Sequence, residues 1–270
     1  MDSENGVLQA RLDRYNFYHC IQLNPEVRTK GFEEFLPLQA PVFRAMAGVP
    51  FAGKRVLDAG CRDGLFSLEA ERLGAAEVVA FDNDLSRGAV DVVLPYLKSR
   101  VRMYELNMYE LAPETFGRFD IVMCFGLLYH LRYPMWGLKR MRDVLADQGR
   151  LLIETAVFRG YDHLPLLYCP IDDETPYEPT SVSFFNVKGL TDTLSSLGIR
   201  VQDVSTLGQE GPVDRAVFTC QFLPVTAHPT QGAYWEGKHT LHADLSPSDA
   251  FRMVREKSPI LYRKPGVGEA

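Results

Sequence analysis

An acidic side chain and a glycine turn stand together where a short apolar stretch ends. Asp58 lies near the end of stretch 54–59, and Gly60 and Gly64 follow it in the spacing D-x-G-x-x-x-G, before an amphipathic segment. Glycine permits backbone shapes and close approaches that a Cβ would block, and a helix N-terminus offers free N–H groups to an electronegative ligand. The spacing differs from the G-x-G-x-x-G of dinucleotide enzymes, which disfavours an NAD-dependent dehydrogenase.

Three later residues suit a nucleoside. Asp82 ends the next apolar stretch, where a carboxylate can accept both hydroxyls of a ribose. Asn107 and Met108 follow the third stretch. An amide and a backbone N–H at that edge suit adenine, with the methionine side chain against the ring. Asp82 taken alone would serve equally well as a helix N-cap.

The elements that must position these residues alternate between strand and helix. The sequence predicts strands at 54–59, 77–81, 101–106, 119–125, 149–155, 199–205 and 215–222. It predicts helices at 64–73, 85–97, 135–145 and 187–197. This alternation is typical of a parallel α/β sheet. The segment 158–183 breaks the pattern with prolines and aromatic residues, and loops of this length are usually functional or mobile.

Three regions are expected along the chain. Residues 1–50 form an N-terminal helical cap, with helical stretches around 6–20 and 37–47. Residues 51–225 form the ligand-binding domain, in which 158–183 is the substrate loop. Residues 226–270 form a C-terminal tail with one helix capped by Ser246.

Composition narrows the class of protein. The 270 residues are 46% hydrophobic, which is globular composition and excludes full disorder. A net charge of −6 makes the chain a poor binder of bulk polyanions. The five cysteines are widely spaced and form no C-x-x-C pair, so neither a disulfide framework nor a metal site is expected. The acidic run 172–174 reads as solvated, and without a signal peptide or membrane-spanning run the expected compartment is the cytoplasm.

Five segments carry a resemblance to a known family over about residues 50–222. VLDAGCRDG, VVAFD, ELNMYEL, FDIVMCFGLLYHLRYP and GRLLIET resemble class I S-adenosylmethionine (SAM) methyltransferases. More narrowly, FGLLYHLRYP and FYHCIQLNPEVRTKGF are similar to the group around the tRNA wobble-uridine (cmo5U34) carboxymethyltransferase and its small-molecule methyltransferase relatives. The resemblance implies an α/β, Rossmann-like seven-stranded sheet of order 3-2-1-4-5-7-6 with an antiparallel last strand.

The same resemblance implies a set of cofactor contacts. SAM would be held by Asp58, Gly60, Gly64, Asp82, Asn107 and Met108, with Cys124 beginning the segment under the sulfonium. Arg62 stands where the family most often has glycine. Since a guanidinium near a sulfonium is unfavourable, Arg62 is expected to point away or to pair with an acid such as Asp63.

Two residues are the candidates for catalysis. Tyr129 and His130 follow a central strand at its carboxyl end, where open α/β sheets place their sites. If the acceptor is a hydroxyl, a base must take its proton. By the resemblance, Tyr129 lies at the transferred group, whereas His130 could equally be a hydrogen-bonded structural residue.

The candidates for substrate binding lie in three regions. Arg215 matches an arginine that holds the transferred carboxylate in the carboxymethyl-transferring relative. Here it could orient a substrate carboxylate, or pair with Asp214 or another acid of the sheet. His19, with Tyr18, resembles cap residues that fold over the site, and could equally pack on the core. The loop contributes the aromatic and titratable candidates Tyr161, His163 and Tyr168.

Together these features favour a SAM-dependent methyltransferase that acts on a small molecule, such as a natural product or sugar-like metabolite, by in-line displacement and releases S-adenosylhomocysteine (SAH). The alternatives are a tRNA wobble-uridine methyl- or carboxymethyltransferase and a catalytically silent SAM-binding protein. Nucleic acid and membrane are not expected partners. The tail would allow a homodimer, and the acceptor atom and the oligomeric state stay open.

Overall fold

A seven-stranded sheet organises the chain. The computed structural model describes residues 2–171 and 174–223, with side chains from residue 4 onward, so the tail predicted at 226–270 and its helix lie outside the described residues. The strands are β1 Gln22–Asn24, β2 Val27–Arg28, β3 Arg55–Ala59, β4 Glu77–Asp82, β5 Arg102–Glu105, β6 Phe119–Phe125, β7 Leu145–Phe158, β8 Leu167–Tyr168, β9 Phe184–Phe185, β10 Ile199–Thr206 and β11 Val213–Phe222. The α-helices are α1 Asp2–Leu12, α2 Leu36–Ala47, α3 Leu65–Arg72, α4 Leu94–Leu97, α5 Pro113–Phe116, α6 Pro134–Asp143 and α7 Val187–Ser196.

The sheet has the order β10-β11-β7-β6-β3-β4-β5. Strands β3 to β7 pair in parallel, and β11 runs antiparallel to both β7 and β10. Counted along the chain within this sheet, the order is 3-2-1-4-5-7-6 with an antiparallel last strand, which confirms the predicted fold.

The central strands are apolar on both faces because helices cover both sides of the sheet. In β6, Val122 and Cys124 pack in one core cluster, and Ile121 and Met123 pack in the other. This alternation follows from the two-residue period of a strand. The parallel strands are thereby fixed in register, and their carboxyl ends meet at one edge.

The N-terminal region is less helical than predicted. Helix α1 ends at Leu12, and the predicted continuation to residue 20 is irregular chain, followed by the short hairpin β1–β2. The backbone N–H groups of Tyr18 and His19 donate to the carboxylate of Asp63, at 2.6 and 2.7 Å, instead of to helix carbonyls. A side chain of the glycine turn therefore fixes this segment.

Two other predicted elements also differ. The helix predicted at 85–97 is interrupted by a π-helical turn at Ala89–Val93 before α4, because Pro95 has no N–H and the hydrogen-bond ladder changes register in the turn before it. Strand β7 is longer than predicted. In the loop predicted at 158–183, the short strand β8 pairs with β9, so part of this segment folds back on the domain.

Candidate active site

A cavity of about 780 Å³ opens at the carboxyl ends of the parallel strands. This is the edge at which open α/β sheets bind ligands, and the volume suits a cofactor together with a small substrate. Eight of the predicted site residues line it: His19, Gly60, Asp82, Asn107, Met108, Tyr129, His130 and Arg215. The cavity has a floor made by the glycine turn and Asp82, a wall made by the sheet, and a wall made by the N-terminal region.

The floor has the shape and the donors of a nucleoside site. Gly60 adopts φ +80°, and a Cβ there would lie 3.0 Å from the Cβ of Leu127, so only glycine permits this approach. One carboxylate oxygen of Asp82 accepts from the backbone N–H of Arg62 at 2.9 Å, and the other accepts from that of Asp84 at 2.8 Å. Each oxygen keeps a free lone pair, so Asp82 can still accept two hydroxyl groups.

The predicted adenine contacts lie beside the floor. Met108 is buried and lines the cavity. The side-chain oxygen of Asn107 accepts from the backbone N–H of Tyr109 at 3.0 Å and caps a short 3-10 helix. That bond leaves the amide N–H groups of Asn107 for a ligand, and its contact with a cofactor stays a prediction.

Three predicted cofactor residues lie beneath the cavity rather than in its lining. Asp58 is buried and accepts a hydrogen bond from Ser67 Oγ at 2.6 Å, and burial raises the pKa of its carboxyl to about 7. Gly64 caps helix α3 with φ +80°. Cys124 is fully buried, and burial raises the pKa of its thiol, so it stays neutral. These three residues support the turn and the strand ends.

Arg62 pairs with an acid, as expected, though not with Asp63. Its guanidinium pairs with Asp84, and its backbone adopts φ +47°, a shape that glycine usually supplies. The charge is thus balanced at the floor of the cavity. Asp63 points the other way, into the N-terminal region, where it holds Tyr18 and His19.

The sheet wall carries a buried ion pair. Arg215 on β11 donates to Glu154 on β7 through Nε at 2.6 Å and through Nη2 at 2.5 Å. Its Nη1 donates to the hydroxyls of Tyr129 at 2.8 Å and Tyr177 at 3.0 Å. Four of the five guanidinium N–H groups are therefore engaged. Of the two expected kinds of partner for Arg215, Asp214 or another acid of the sheet, the structure shows the second, and this acid is Glu154. The Asp214 carboxylate accepts only backbone N–H groups among its described hydrogen bonds.

Electrostatics fix the protonation of this wall. Burial lowers the pKa of Arg215, but Glu154 outweighs it, so the pKa lies well above its ordinary value and the guanidinium stays charged. Burial raises the pKa of Tyr129 above its ordinary range. Tyr129 is consequently a neutral phenol that can donate a hydrogen bond but cannot act as a base near neutral pH.

His130 is held on both sides. Its Nδ1 lies 3.1 Å from the carbonyl oxygen of Thr180, and its Nε2 lies 3.3 Å from Glu178 Oε1. Both ring nitrogens thus face oxygen acceptors. The side chain lines the cavity, but this geometry favours the structural interpretation of His130 over the catalytic one.

The wall from the N-terminal region is aromatic. Tyr18 stacks on Phe35 with ring centroids 5.1 Å apart, and the His19 ring meets the edge of Phe66 at 5.7 Å. Gln39 lies 7% exposed in this wall, and among the described residues its Nε2 has no hydrogen-bond partner. This wall combines apolar surface with polar atoms that lack partners.

The predicted loop residues are not brought to the cavity. Tyr161 and His163 are exposed and do not line it, and Tyr168 packs between Phe158 and Phe184. The pairing of β8 with β9 holds this half of the loop away from the cavity. The later half of the loop contributes Glu178 and Thr180 instead.

Sequence reasoning did not identify four residues of the site: Glu154, Tyr177, Glu178 and Gln39. Glu154 had a signal, because a charged residue inside the apolar strand LLIETAV must find a partner. Gln39 lies on a helix and Tyr177 and Glu178 lie in a loop, and no spacing rule connects them to the cavity.

The described residues contain neither a metal-binding cluster nor a membrane-spanning helix. Within residues 2–171 and 174–223 there is no group of three or more His, Cys, Asp or Glu side chains placed to hold a metal ion. None of the helices described is long and apolar enough to cross a membrane. The acidic residues Asp172 and Asp173 lie outside the described part.

The fold and the cavity define a class I methyltransferase-like domain, and comparison with known proteins assigns its family. Residues 33–204 match the model of a methyltransferase-domain family. The chain therefore belongs to the methyltransferase-domain family.

Curated relatives and solved structures agree with this assignment. A tRNA U34 carboxymethyltransferase of Campylobacter hominis is 33% identical over 115 residues, which is 42% of this chain and 40% of the relative. The same-named protein of Stutzerimonas stutzeri is 33% identical over 235 residues, 82% of this chain and 66% of the relative. The chain thus spans less than half the length of the first of these relatives.

Two solved structures share the fold. A 1,6-didemethyltoxoflavin-N1-methyltransferase of Burkholderia thailandensis, with SAH bound, has a TM-score of 0.54 at 22% identity over 71% of this chain and 79% of that one. The N-terminal domain of EvdMO1, also with SAH, has a TM-score of 0.60 at 19% identity over 82% of this chain and 96% of that one. At these identities the likeness concerns the fold alone.

Proposed function

We propose that this chain is a SAM-dependent methyltransferase whose acceptor is a small molecule. The observation that carries the proposal is the cavity of about 780 Å³, which joins a nucleoside-type floor to an aromatic wall. One side offers Gly60 and Asp82, and the other offers Tyr18, Phe35 and Gln39. Family membership and SAH in two solved neighbours support SAM as the cofactor.

The residues of the floor fit SAM. Asp82 has a lone pair left on each oxygen for the two ribose hydroxyls, and the glycine turn leaves room above Gly60. Met108 would pack on adenine. Bound SAM supplies an electrophilic methyl carbon, so the work of the protein is to align an acceptor with that carbon and to exclude water.

The state of Arg215 favours methyl over carboxymethyl transfer. A carboxylate on the transferred group would need a free cation, but Glu154 already neutralises Arg215 and occupies two of its N–H groups. Tyr129 and Tyr177 occupy two more. A second carboxylate would have to displace one of these partners or lie beside Glu154, and both carry an electrostatic cost.

The second candidate is carboxymethyl transfer to the wobble uridine of tRNA. The curated relatives carry that name at 33% identity over as much as 82% of this chain, and Tyr129 and Arg215 both line the cavity. The net charge of −6 argues against a tRNA substrate.

Calorimetric titration with SAM, SAH and carboxy-SAM, after removal of carried-over ligand, tests the proposal. We expect SAM to bind at micromolar concentration, and Asp82→Ala to weaken it by roughly 10–100-fold, since a hydrogen bond to a charged group contributes about 1.5–3 kcal/mol. Asp192→Ala, an exposed acid outside the cavity, is the matched control.

Three results would change the proposal. Preference for carboxy-SAM over SAM, together with salt-dependent binding of unmodified tRNA, would establish the second candidate. Binding of SAM without SAH formation on any pool of small metabolites would indicate a silent SAM-binding protein. Failure of all three ligands to bind the wild type would contradict the proposal that the chain is a SAM-dependent enzyme.

A further inference from the structure

Asp63 and His19 form a buried pair that the sequence did not suggest. Asp63 lies in the glycine turn, its side chain is 0% exposed, and its Oδ2 lies 3.4 Å from Nδ1 of His19. The same oxygen accepts the backbone N–H groups of Tyr18 and His19. The carboxylate thereby fixes the backbone of His19 and lies beside its ring.

Each member of the pair has a buried polar atom without a hydrogen bond, and the Asp63 oxygen that faces Nδ1 of His19 is Oδ2. Within the described part of the chain, Nδ1 of His19 and Oδ1 of Asp63 are both buried without a hydrogen-bond partner. Nδ1 of His19 can donate a hydrogen bond when it carries a proton, and Oδ1 of Asp63 can accept one. Burial raises the pKa of Asp63, but the hydrogen bonds from His19 outweigh it and the pKa lies below its ordinary value, so the carboxyl is ionised.

The opposite edge of the ring belongs to the cavity. The His19 side chain keeps 10% exposure although Nδ1 has none, and His19 lines the cavity. Nε2 is the ring nitrogen that is not held against Asp63, and no described residue forms a hydrogen bond with it. When Nδ1 carries the proton and faces Asp63, Nε2 presents a lone pair to the cavity.

The other candidate bases are already engaged. Both ring nitrogens of His130 face Thr180 and Glu178. Tyr129 is a neutral phenol bonded to Arg215. Among the described side chains of the lining, His19 is thus the imidazole with an open nitrogen.

We propose that His19, oriented by Asp63, is the general base for an acceptor that presents a hydroxyl group, so that the enzyme is an O-methyltransferase. The inference rests on the proposed methyl transfer. As the acceptor oxygen bonds to the methyl carbon, the carbon–sulfur bond of SAM breaks and its electron pair stays on sulfur as SAH leaves. The hydroxyl proton passes to Nε2 of His19, and no other reactant is needed.

The two titratable groups next to His19, Asp63 and Tyr18, keep their charge states between pH 5 and 9. Asp63 is ionised, and Phe66 presents only a ring edge. Burial raises the pKa of Tyr18 to about 12, with Glu178 and Arg215 acting on it more weakly, so the phenol beside His19 stays neutral up to pH 9. Neither group therefore adds a pH dependence of its own to a reaction that uses His19.

A test that needs no acceptor reads the tautomer directly. The full chain, labelled with ¹⁵N-histidine, is recorded by NMR with SAH added, and His19→Gln assigns the signal. We expect neutral His19 to carry its proton on Nδ1, and Asp63→Asn to remove that preference. A proton on Nε2 in the neutral form would overturn the proposal, because Nε2 could then accept nothing.

The kinetic test uses SAM with a panel of phenols, sugars and alkyl alcohols, and measures SAH formation from pH 5 to 9. We expect His19→Gln to lower kcat by roughly 10²–10⁴-fold, to abolish the rise with pH, and to leave the Kd of SAM within twofold. His163→Gln, an exposed histidine outside the cavity, should behave as wild type.

Two outcomes separate the inference from the proposed function. A His19→Gln protein that binds SAM much more weakly but keeps kcat and its pH dependence would make His19 a cofactor contact and overturn the base. Wild-type protein that binds no SAM would contradict the methyltransferase itself, whatever the tautomer of His19.

Discussion

The two walls of the cavity treat their polar groups in opposite ways. On the sheet wall, Arg215 bonds to Glu154 and to two tyrosine hydroxyls. On the wall from the N-terminal region, Gln39 Nε2 has no hydrogen-bond partner among the residues described. His19 Nδ1 also lacks one there, although it lies 3.4 Å from the carboxylate of Asp63. Buried polar atoms are nearly always paired in native proteins, so the two walls differ in how completely the protein itself satisfies their polar groups.

The contrast has a physical origin. Glu154 and Arg215 stand on neighbouring strands two residues apart in register, on the same face of the sheet, so backbone pairing brings them together. The other wall is built from α2 and irregular chain, where no ladder brings a partner to each side chain. The sheet wall is therefore the more completely hydrogen-bonded of the two walls.

The largest expected effect comes from removing Glu154, which pairs with Arg215 in the sheet wall. Glu154→Ala leaves the charge of Arg215 buried without its partner, which should cost about 3–5 kcal/mol of the free energy of unfolding. Chemical denaturation measures this loss. Replacing both residues, as Glu154→Leu with Arg215→Met, should restore most of it, because no charge is then buried.

The control breaks an exposed pair. Lys188 and Asp192 lie 2.7 Å apart with 39% and 47% of their side chains exposed, and Asp192→Ala should change stability by less than about 1 kcal/mol. If Glu154→Ala were no more destabilising than this control, the ion pair would not hold the sheet wall together.

The architecture could be predicted from sequence far better than the site. The order and direction of the sheet follow from apolar stretches of the right length and from the family resemblance, and both are confirmed. The helix predicted at 6–20 was wrong beyond Leu12, because the backbone N–H groups of Tyr18 and His19 donate to the carboxylate of Asp63 instead of to helix carbonyls. Asp63 lies 45 and 44 residues from these two donors. No local pattern reports such a bond.

Within the site, residues fixed by strand ends were predictable and loop residues were not. Asp82 ends β4 and Tyr129 follows β6 closely, and both line the cavity. Tyr161 and His163 were chosen for their chemistry alone, and the pairing of β8 with β9 places them outside. Arg62 pairs with an acid as expected, and that acid is Asp84 because the neighbouring Asp63 points to the opposite side of the turn.

The second effect concerns Asp58, a buried carboxyl on the sheet side with one side-chain donor. Burial raises its pKa from 3.8 to about 7, so the folded protein favours the neutral carboxyl. The stability that the neutral form contributes is complete below pH 4 and is lost as pH rises through 7. Asp58→Asn keeps an acceptor for Ser67 and cannot ionise. Its advantage in stability over wild type should grow by roughly 2–3 kcal/mol between pH 5 and 8.

Denaturation curves at the two pH values measure this difference, with Asp192→Asn as the exposed control. A difference between Asp58→Asn and wild type that does not change with pH would mean that Asp58 does not titrate in the folded protein within this range.

The smallest expected change in stability has the opposite sign and concerns Gln39, in the wall from the N-terminal region. Gln39 is buried with its Nε2 unbonded in the described structure, so Gln39→Leu should leave stability unchanged or raise it by about 1 kcal/mol. The matched control is Asn186, a fully buried amide whose Nδ2 donates to Tyr161 and Leu164 carbonyls and whose Oδ1 accepts from Leu166 and Gly189. Asn186→Leu should cost on the order of 3 kcal/mol. If Gln39→Leu lowered the free energy of unfolding as much as Asn186→Leu, the amide of Gln39 would already have hydrogen-bond partners in the protein.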